Sequence, residues 1–561
     1  MTSGGAQPQP TVADVIGATI AAQGVHDAFG VVGSGNLVAT NALMAAGARF
    51  HAARHEGGAV CMADGYARVT GRVGVLSVHQ GPGLTNTMTG LTEAAKSRTP
   101  MLVLAGESPA AALTSNFRID QHDLVESVGA IADRVFSAGT AADDAQRAYQ
   151  RALVESRPVV LMMPIDIQPL PAGADTEPSR PPIPPLDPPA PAPAAINAAA
   201  ETLAGAKRPA IIAGRGAVIA GAGPDLEALA AQIGAVLATS APAHGLFAGL
   251  PYALGISGGF ASPLAAELLP QADAVLIVGA SANHWTTKHG ALISPDASVI
   301  QVDIDPRAIG RNRHAEVAVL GDASRSAAAL TARFIAEDHS NPGFRTPELA
   351  DAIASRRWRD EPYVDASTEE WIDPRTLSIA LDRLLPVARQ VAVDSGHFLG
   401  YPSMYLDVPD ARSWIFPNGF QAVGLGLGTA IGAAIARPDR ITVAAIGDGG
   451  AFMALAELET AARLKLENLL VVIYDDAAYG AEVHHFAPMG YDVGVVRFPD
   501  ADLAAMARAA GAHGATVRNP DELEDAVTGW LAEPHFRPLV IDAKVNPTIC
   551  ADWLEEAFRA G

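Results

Sequence analysis

Gly447-Asp448-Gly449-Gly450-Ala451-Phe452, followed downstream by Tyr474-Asp475-Asp476-Ala477-Ala478-Tyr479-Gly480, decides how this chain is read. Glycines after an apolar run let backbone N–H groups approach phosphate oxygens, and the start of a helix favours their charge. Asp448 offers a hard oxygen ligand, and the later carboxylate can share the same cation. Between them, residues 452–466 read as a helix and residues 469–474 (LLVVIY) as a buried strand. A strand–GDG–helix–strand–DD order brings both acidic positions to one sheet edge, where open α/β folds bind ligands.

The surrounding chain bounds the reading. Its 561 residues exceed one core, and roughly three or four domains are expected. Hydrophobic residues make up 49% and charged residues 18%, the balance of a well-buried globular protein. A net charge of −22 argues against non-specific nucleic-acid binding. Cys61 and Cys550 lie far apart, so no disulfide framework or zinc pattern arises, and a reducing cytoplasm is the simple reading. The first ten residues, MTSGGAQPQP, lack the charged and apolar parts of a signal peptide. No apolar run reaches membrane length, so no membrane partner is expected.

Three blocks alternate helical patterns with short apolar strands, which argues for doubly wound parallel sheets. The first holds AFGVVG (28–33), VGVLSV (73–78), PMLVLAG (100–106) and PVVLMMP (158–164). A Pro-rich stretch follows, unable to hold a helix or a ladder. The second block carries PAIIAG (209–214), ADAVLIVG (272–279) and ASVIQVDIDP (297–306), and the third RQVAVDSG (389–396), ITVAAIGDGG (441–450), LLVVIYDD (469–476) and RPLVIDAKV (537–545). The first and third blocks could be similar sheets.

The first block also contains Arg54-His55-Glu56-Gly57-Gly58-Ala59-Val60-Cys61-Met62-Ala63-Asp64-Gly65-Tyr66-Ala67-Arg68, one carboxylate ahead of a small-residue helix. With the GDG…DD segment, it resembles the thiamine-diphosphate-dependent 2-keto acid decarboxylases and carboligases, among them acetohydroxyacid synthase, benzoylformate decarboxylase and pyruvate decarboxylase. The resemblance covers nearly the whole chain. It implies a pyrimidine-binding domain at 10–175, a Pro-rich linker at 176–193, a central domain at 194–335, a second linker at 336–372, a diphosphate-binding domain at 373–550 and a tail at 551–561. It further implies thiamine diphosphate and Mg2+ as cofactors and a homodimer or homotetramer, with the site between the first domain of one subunit and the third of another.

The resemblance assigns Glu56 to the aminopyrimidine ring, where a carboxylic acid of matched pKa is needed. Asp448 and Asp476 become side-chain metal ligands and Ala478 a carbonyl ligand. Gly447, Gly449, Gly450, Ala451 and Tyr479 line the cofactor, as do Gly396, His397 and Phe398, while Val423 stands where an apolar wedge bends it. The family has Asn-Asn where this chain has Asp475-Asp476, which adds negative charge beside a diphosphate.

Other positions bear on the reaction. His79 precedes Asn86 as the active-site histidine of benzoylformate decarboxylase precedes its own asparagine, and a histidine there could shuttle protons near neutral pH. Ser34 resembles that enzyme's substrate serine, with a plain glycine turn as the competing reading; the GxG around it is not completed to GxGxxG, which discounts a nicotinamide site. Glu482 matches a glutamate of pyruvate decarboxylase and, if buried, could donate a proton. Gln121 and His284 are further substrate candidates. The implied reaction is decarboxylation of a 2-keto acid to an enamine, then protonation or ligation to an aldehyde or ketone acceptor, in an acetolactate synthase-like lyase or transferase. Acetohydroxyacid synthase itself has a Lys where Ile165 stands, and its Gly-Met-Val…Gln-Trp segment is replaced here by Gly480-Ala481-Glu482-Val483-His484. Binding of FAD and the choice of acceptor stay open. The alternatives are a 2-hydroxyacyl-CoA lyase or oxalyl-CoA decarboxylase, which should show a basic patch that the sequence does not display, and a non-catalytic binding homologue.

Overall fold

Continuous apolar runs become the inner strands of parallel sheets, because helices cover both faces and leave no solvated side. The computed structural model describes residues 9–172, 180–184, 186–532 and 536–558. The first sheet consists of β1 Asp27–Gly30, β2 Arg49–Ala52, β3 Gly74–Val78, β4 Met101–Glu107, β5 Ile131–Arg134 and β6 Pro158–Pro164, in the order β2-β1-β3-β4-β6-β5. The central sheet contains β7 Pro209–Ala213, β8 Val236–Thr239, β9 Ala253–Ile256, β10 Ala274–Val278, β11 Ser298–Asp303 and β12 Val317–Leu320. Its order, β12-β11-β10-β7-β8-β9, is that of the dinucleotide-binding folds. The third holds β13 Arg389–Val393, β14 Trp414–Ile415, β15 Ile441–Gly447, β16 Leu469–Asp475, β17 His513–Val517 and β18 Leu539–Lys544, ordered β14-β13-β15-β16-β18-β17. Every pairing between these strands is parallel. The expected α/β architecture of three doubly wound sheets is therefore present, and the first and third sheets share one strand order.

That order fixes where chemistry can sit. In the first sheet the chain reverses direction between β1 and β3, and in the third between β13 and β15. Both reversals open a crevice at the carboxyl ends of the strands. Ser34 and His79 follow β1 and β3; Gly396 and Asp448 follow β13 and β15.

Helix Glu56–Thr70 and helix Gly426–Ala436 join the first and third sheets through one core that includes Val60, Met62, Leu76, Ala430, Ile431 and Ile446. Their backbones touch. A methyl on Gly432 would lie 1.9 Å from the Met62 carbonyl oxygen, and one on Gly65 2.2 Å from that of Thr429. The central sheet keeps its own apolar clusters. It meets the third block through Phe260, whose ring lies 5.2 Å from Trp285 and 5.5 Å from Trp553.

Several segments differ from expectation. Residues 452–466 form no single helix: helix Asp448–Met453 starts directly at the strand end, and a turn separates it from helix Glu457–Arg463. Residues 336–372, expected as a linker, carry helix Pro347–Ser355, started by Pro347 and capped by Thr346, whose hydroxyl accepts the Leu349 N–H at 3.2 Å. Residues 180–184 and 186–192 of the Pro-rich stretch run without helix or strand, whereas 176–179 and 185 of the expected linker lie outside the described residues. The tail contains helix Leu554–Phe558, and its last three residues also lie outside. Among the described residues no helix is long and apolar enough to cross a membrane.

Overpacking a tight core costs about 1–3 kcal/mol, so Gly432→Ala should lower the thermal and denaturant midpoints. Unchanged midpoints would show that the seam between the two helices has slack.

Candidate functional site

A cavity of about 1870 Å³ lies over the carboxyl edge of the third sheet and extends beneath the central sheet. Gly396, His397, Phe398, Val423, Gly447, Asp448, Gly449, Gly450, Asp476, Ala478, Tyr479, Glu482 and His284 all line it. Ala451 does not; it is buried behind the lining. Asp448 opens its helix, with Gly447 as the extended residue before it. Side chains would obstruct this floor. A methyl on Gly450 would meet Asp394 Oδ2 at 2.3 Å, and one on Gly449 the Tyr479 ring at 2.7 Å.

Asp448 and Asp476 share this buried corner. Burial pushes Asp448 up to about 8, and the neighbouring Asp476 and Asp475 add to the shift. Burial likewise pushes Asp476 to about 7, against the Ala478 N–H that it accepts at 3.2 Å. His397 is pushed down to about 4 by burial beside His484; its Nδ1 stands 3.5 Å from Asp476 Oδ2. Two buried carboxylates, of which Asp476 feels Arg497 as a minor opposing charge, are unstable as a charged pair. Two carboxylates and a backbone carbonyl at Ala478 are the hard donor set of a divalent cation, which leaves positions for phosphate oxygens.

The other candidates gather elsewhere. Ser34 Oγ lies 3.3 Å from His79 Nε2, and Asn86 donates to Glu56 Oε2 at 2.9 Å. A methyl on Gly83 would touch both His79 Cβ, at 3.0 Å, and Glu56 Oε1, at 3.4 Å, so these groups surround one small space. Gln121 lies in the turn under His79. Its amide accepts the Gly81 N–H at 2.9 Å and donates to the Gly106 carbonyl at 3.0 Å, and it is 4% exposed. It stiffens that turn and lines a second cavity of about 540 Å³ with Glu107, Phe117 and Arg134. Among the described residues, none of Ser34, Glu56, His79 and Gln121 lines the cavity that holds Asp448. Glu482 departs from expectation: it stands exposed at the cavity rim instead of buried.

Several residues that the sequence reading passed over shape the site. Asp394, at the end of β13, accepts the N–H groups of Ser395, Gly424 and Leu425, and so fixes the loop that carries Val423. An acidic residue at a strand end before Ser-Gly was its signal. Fully buried Arg68 pairs with Asp64 at 2.7 Å and Glu93 at 2.8 Å and donates to the Phe416 carbonyl. Glu93 in turn accepts the Phe420 N–H at 2.7 Å, which ties the same loop to the first sheet. Glu457 accepts the His55 N–H at 3.0 Å just ahead of Glu56. Trp553 closes the cavity beside Trp285. Lys96, Arg98, Arg215, Arg307 and Arg311 line the arm under the central sheet together with Asp303 and Asp305, and Asp305 pairs with both Arg98 and Arg307. Burial pushes Arg215 down to about 9, and it donates to neutral oxygens of Ser97 and Thr99.

Three consecutive stretches match families described as thiamine pyrophosphate enzyme domains: the N-terminal TPP binding domain over residues 10–127, the central domain over 196–330 and the C-terminal TPP binding domain over 394–543. A sulfoacetaldehyde acetyltransferase of Rhodobacter capsulatus is 30% identical, over 96% of this chain and 93% of that protein. A protein of Pseudomonas aeruginosa named "Probable 2-ketoarginine decarboxylase AruI" is 32% identical, over 92% and 91%. The solved 4-hydroxybenzoylformate decarboxylase of Rhodococcus jostii RHA1 shares the fold, with a TM-score of 0.79 and 22% identity over 96% of this chain and 99% of that one.

Asp448 and Asp476 hold their protons more tightly folded than at the ordinary 3.8. The stability this contributes is complete below pH 3.8 and is lost as pH rises through about 7 to 8. Without metal, the melting temperature should therefore fall between about pH 5 and pH 8.5. A cation that binds the ionised pair reverses the loss, so the rise in melting temperature on adding Mg2+ should be larger at the higher pH. Calorimetric scans at both pH values check this; equal rises would contradict it.

Proposed function

The chain belongs to the thiamine pyrophosphate enzymes, and from that premise we propose that it cleaves or forms C–C bonds of 2-keto acids. It would remove carbon dioxide and deliver the remaining acyl unit to a proton, giving an aldehyde, or to a carbonyl acceptor, giving a hydroxy ketone. The observation that carries this reading is the shared cavity: the buried Asp448–Asp476 pair and its glycine floor at one end, with Glu482 and His284 lining the same space. Thiamine diphosphate, when bound, supplies the electron sink for the bond cleavage.

The chain's own residues do the rest. Asp448, Asp476 and the Ala478 carbonyl would hold Mg2+, with N–H groups of residues 449–451 available to the diphosphate. Val423 would press on the cofactor from a loop that Asp394 and Glu93 immobilise. Glu56 would hold a proton at the pyrimidine ring, oriented by Asn86. Ser34 would receive the substrate carboxylate, and His79, 3.3 Å from it, would move the protons that the reacting groups gain or lose. Glu482 would protonate the product once its exposed rim is covered.

A second copy would provide that cover. Glu56 and Asp448 occupy separate clefts of one chain, and apolar side chains stand exposed about both: Leu37, Val38 and Phe117 near the first, Val423, Phe452 and Met453 near the second. Facing the Glu56 cleft of one copy to the Asp448 cleft of another would complete the site and bury these side chains, and the proposed assembly is a homodimer or homotetramer. A second reading, cleavage of an acyl-CoA, is favoured by the Arg215 arm of the cavity, which suits a nucleotide phosphate. The same arm is where FAD would lie.

Purified protein with thiamine diphosphate and Mg2+ should release carbon dioxide from at least one of pyruvate, benzoylformate and branched 2-keto acids. Turnover of acyl-CoAs alone would favour the second reading. Glu56→Gln should lower turnover about 100-fold or more while cofactor still binds. Mixing inactive Glu56→Gln with inactive Asp448→Asn chains should recover activity, because each mixed dimer keeps one intact site. No recovery under conditions of proven exchange would refute the shared site. Glu482→Gln should slow turnover about tenfold or more; unchanged turnover would remove its role as acid.

A further inference from the structure

Asp475 stands where the resemblance expects a neutral amide, and its surroundings explain how a carboxylate is tolerated there. It is 4% exposed and lies outside the cavity that Asp476 and Ala478 line. Lys544, its register partner on β18, donates from Nζ to Asp475 Oδ2 at 2.6 Å. The same ammonium donates to Asp500 Oδ1 at 2.6 Å and to the Ala501 carbonyl at 2.8 Å, with Asp542 Oδ2 at 3.1 Å. The other Asp475 oxygen accepts the Ala477 N–H at 3.0 Å. Ala477 has φ +52°, a left-handed conformation uncommon for a residue with a side chain. Its carbonyl accepts the Phe498 N–H at 2.8 Å. This twist is what lets Asp476 and Ala478 face the cavity while Asp475 and Ala477 face away.

We propose that Lys544 and Asp475 form a positioning pair for the cofactor's cation loop. The ammonium, shared with Asp500 and Asp542, offsets part of the charge that Asp475 brings close to a diphosphate, and the carboxylate, held in place by the ammonium, pins Ala477 in its left-handed turn. A cation at the site would then have Asp448 and Asp476 as its side-chain ligands, with Asp475 turned away from the cavity they line. The proposal rests on the reading that this corner binds Mg2+ and thiamine diphosphate.

Charge and pinning separate by substitution. Asp475→Asn keeps an acceptor for the Ala477 N–H and leaves Lys544 with Asp500 and Asp542; binding of cofactor should stay within about threefold of wild type. Asp475→Ala loses the pin and should weaken thiamine diphosphate binding about tenfold. Lys544→Met leaves Asp475 uncompensated and should weaken binding about tenfold or more, and Asp475→Asn added to it should restore most of the loss. Calorimetric titration of thiamine diphosphate at saturating Mg2+, and of Mg2+ at saturating thiamine diphosphate, reads all four full-length variants without recourse to turnover. A double variant that binds more tightly than Lys544→Met supports the pair, and one that binds no better overturns it. Should Lys544→Met fail to fold, Asp475→Ala decides alone: wild-type affinity there overturns the proposal. Failure of the wild type to bind thiamine diphosphate would instead overturn the cofactor reading, and the inference with it.

Discussion

A parallel sheet covered by helices on both faces has no wet surface except its ends. That constraint governs the whole molecule. Inner strands such as β4, β6, β15, β16 and β18 are almost entirely buried, so polar chemistry is confined to the loops at their carboxyl ends. The strand order then selects which loops matter, because a cleft opens only where the chain reverses direction. The first and third sheets reverse at equivalent points. One cleft gathers Ser34, His79 and Glu56, and the other Gly396, Asp448 and Asp476. Neither contains the full set of groups.

The inner strands were legible because burial on both faces writes a continuous apolar run, and PVVLMMP became β6 at the expected residues. The edge strands were not. β2, β5, β9, β12, β14 and β17 bound the three sheets, and each of those longer than β14 carries at least one exposed position, as in β12, where Val319 is buried and its neighbours Ala318 and Leu320 are exposed. Only β8 among the inner strands was passed over, a short Val-Leu-Ala-Thr segment. Helix boundaries near the site also escaped, because no Gly or Pro follows Met453 to mark the end of helix Asp448–Met453.

The candidate site was legible where a short segment carries it whole, as in residues 447–451 and 54–68. It was hidden where the fold assembles it from afar. Lys544 reaches Asp475 only because β18 pairs with β16 in a particular register. The five cations beneath the central sheet come from three separate segments, around residues 96–98, 215 and 307–311. Buried charge is balanced locally elsewhere in the chain, as with Arg68 between Asp64 and Glu93. The Asp448–Asp476 corner stands apart because burial raises both carboxyls and Arg497 offsets the charge at Asp476 only in part.

The contact at Gly432 and Gly65 has a mechanical meaning. Two helices that touch backbone to backbone cannot slide without one carbonyl lifting off the other's glycine, so the first and third sheets behave as one stiff block. The aromatic contact of Phe260, Trp285 and Trp553 is softer: rings can tilt while they stay in contact, and Trp553 lies in the turn just before a short helix, Leu554–Phe558. Compliance is thus concentrated on the side of the cavity roofed by the central sheet and the C-terminus, and rigidity on the side that carries the carboxylates. A reactant can be admitted through the yielding wall without disturbing the groups that must keep their spacing.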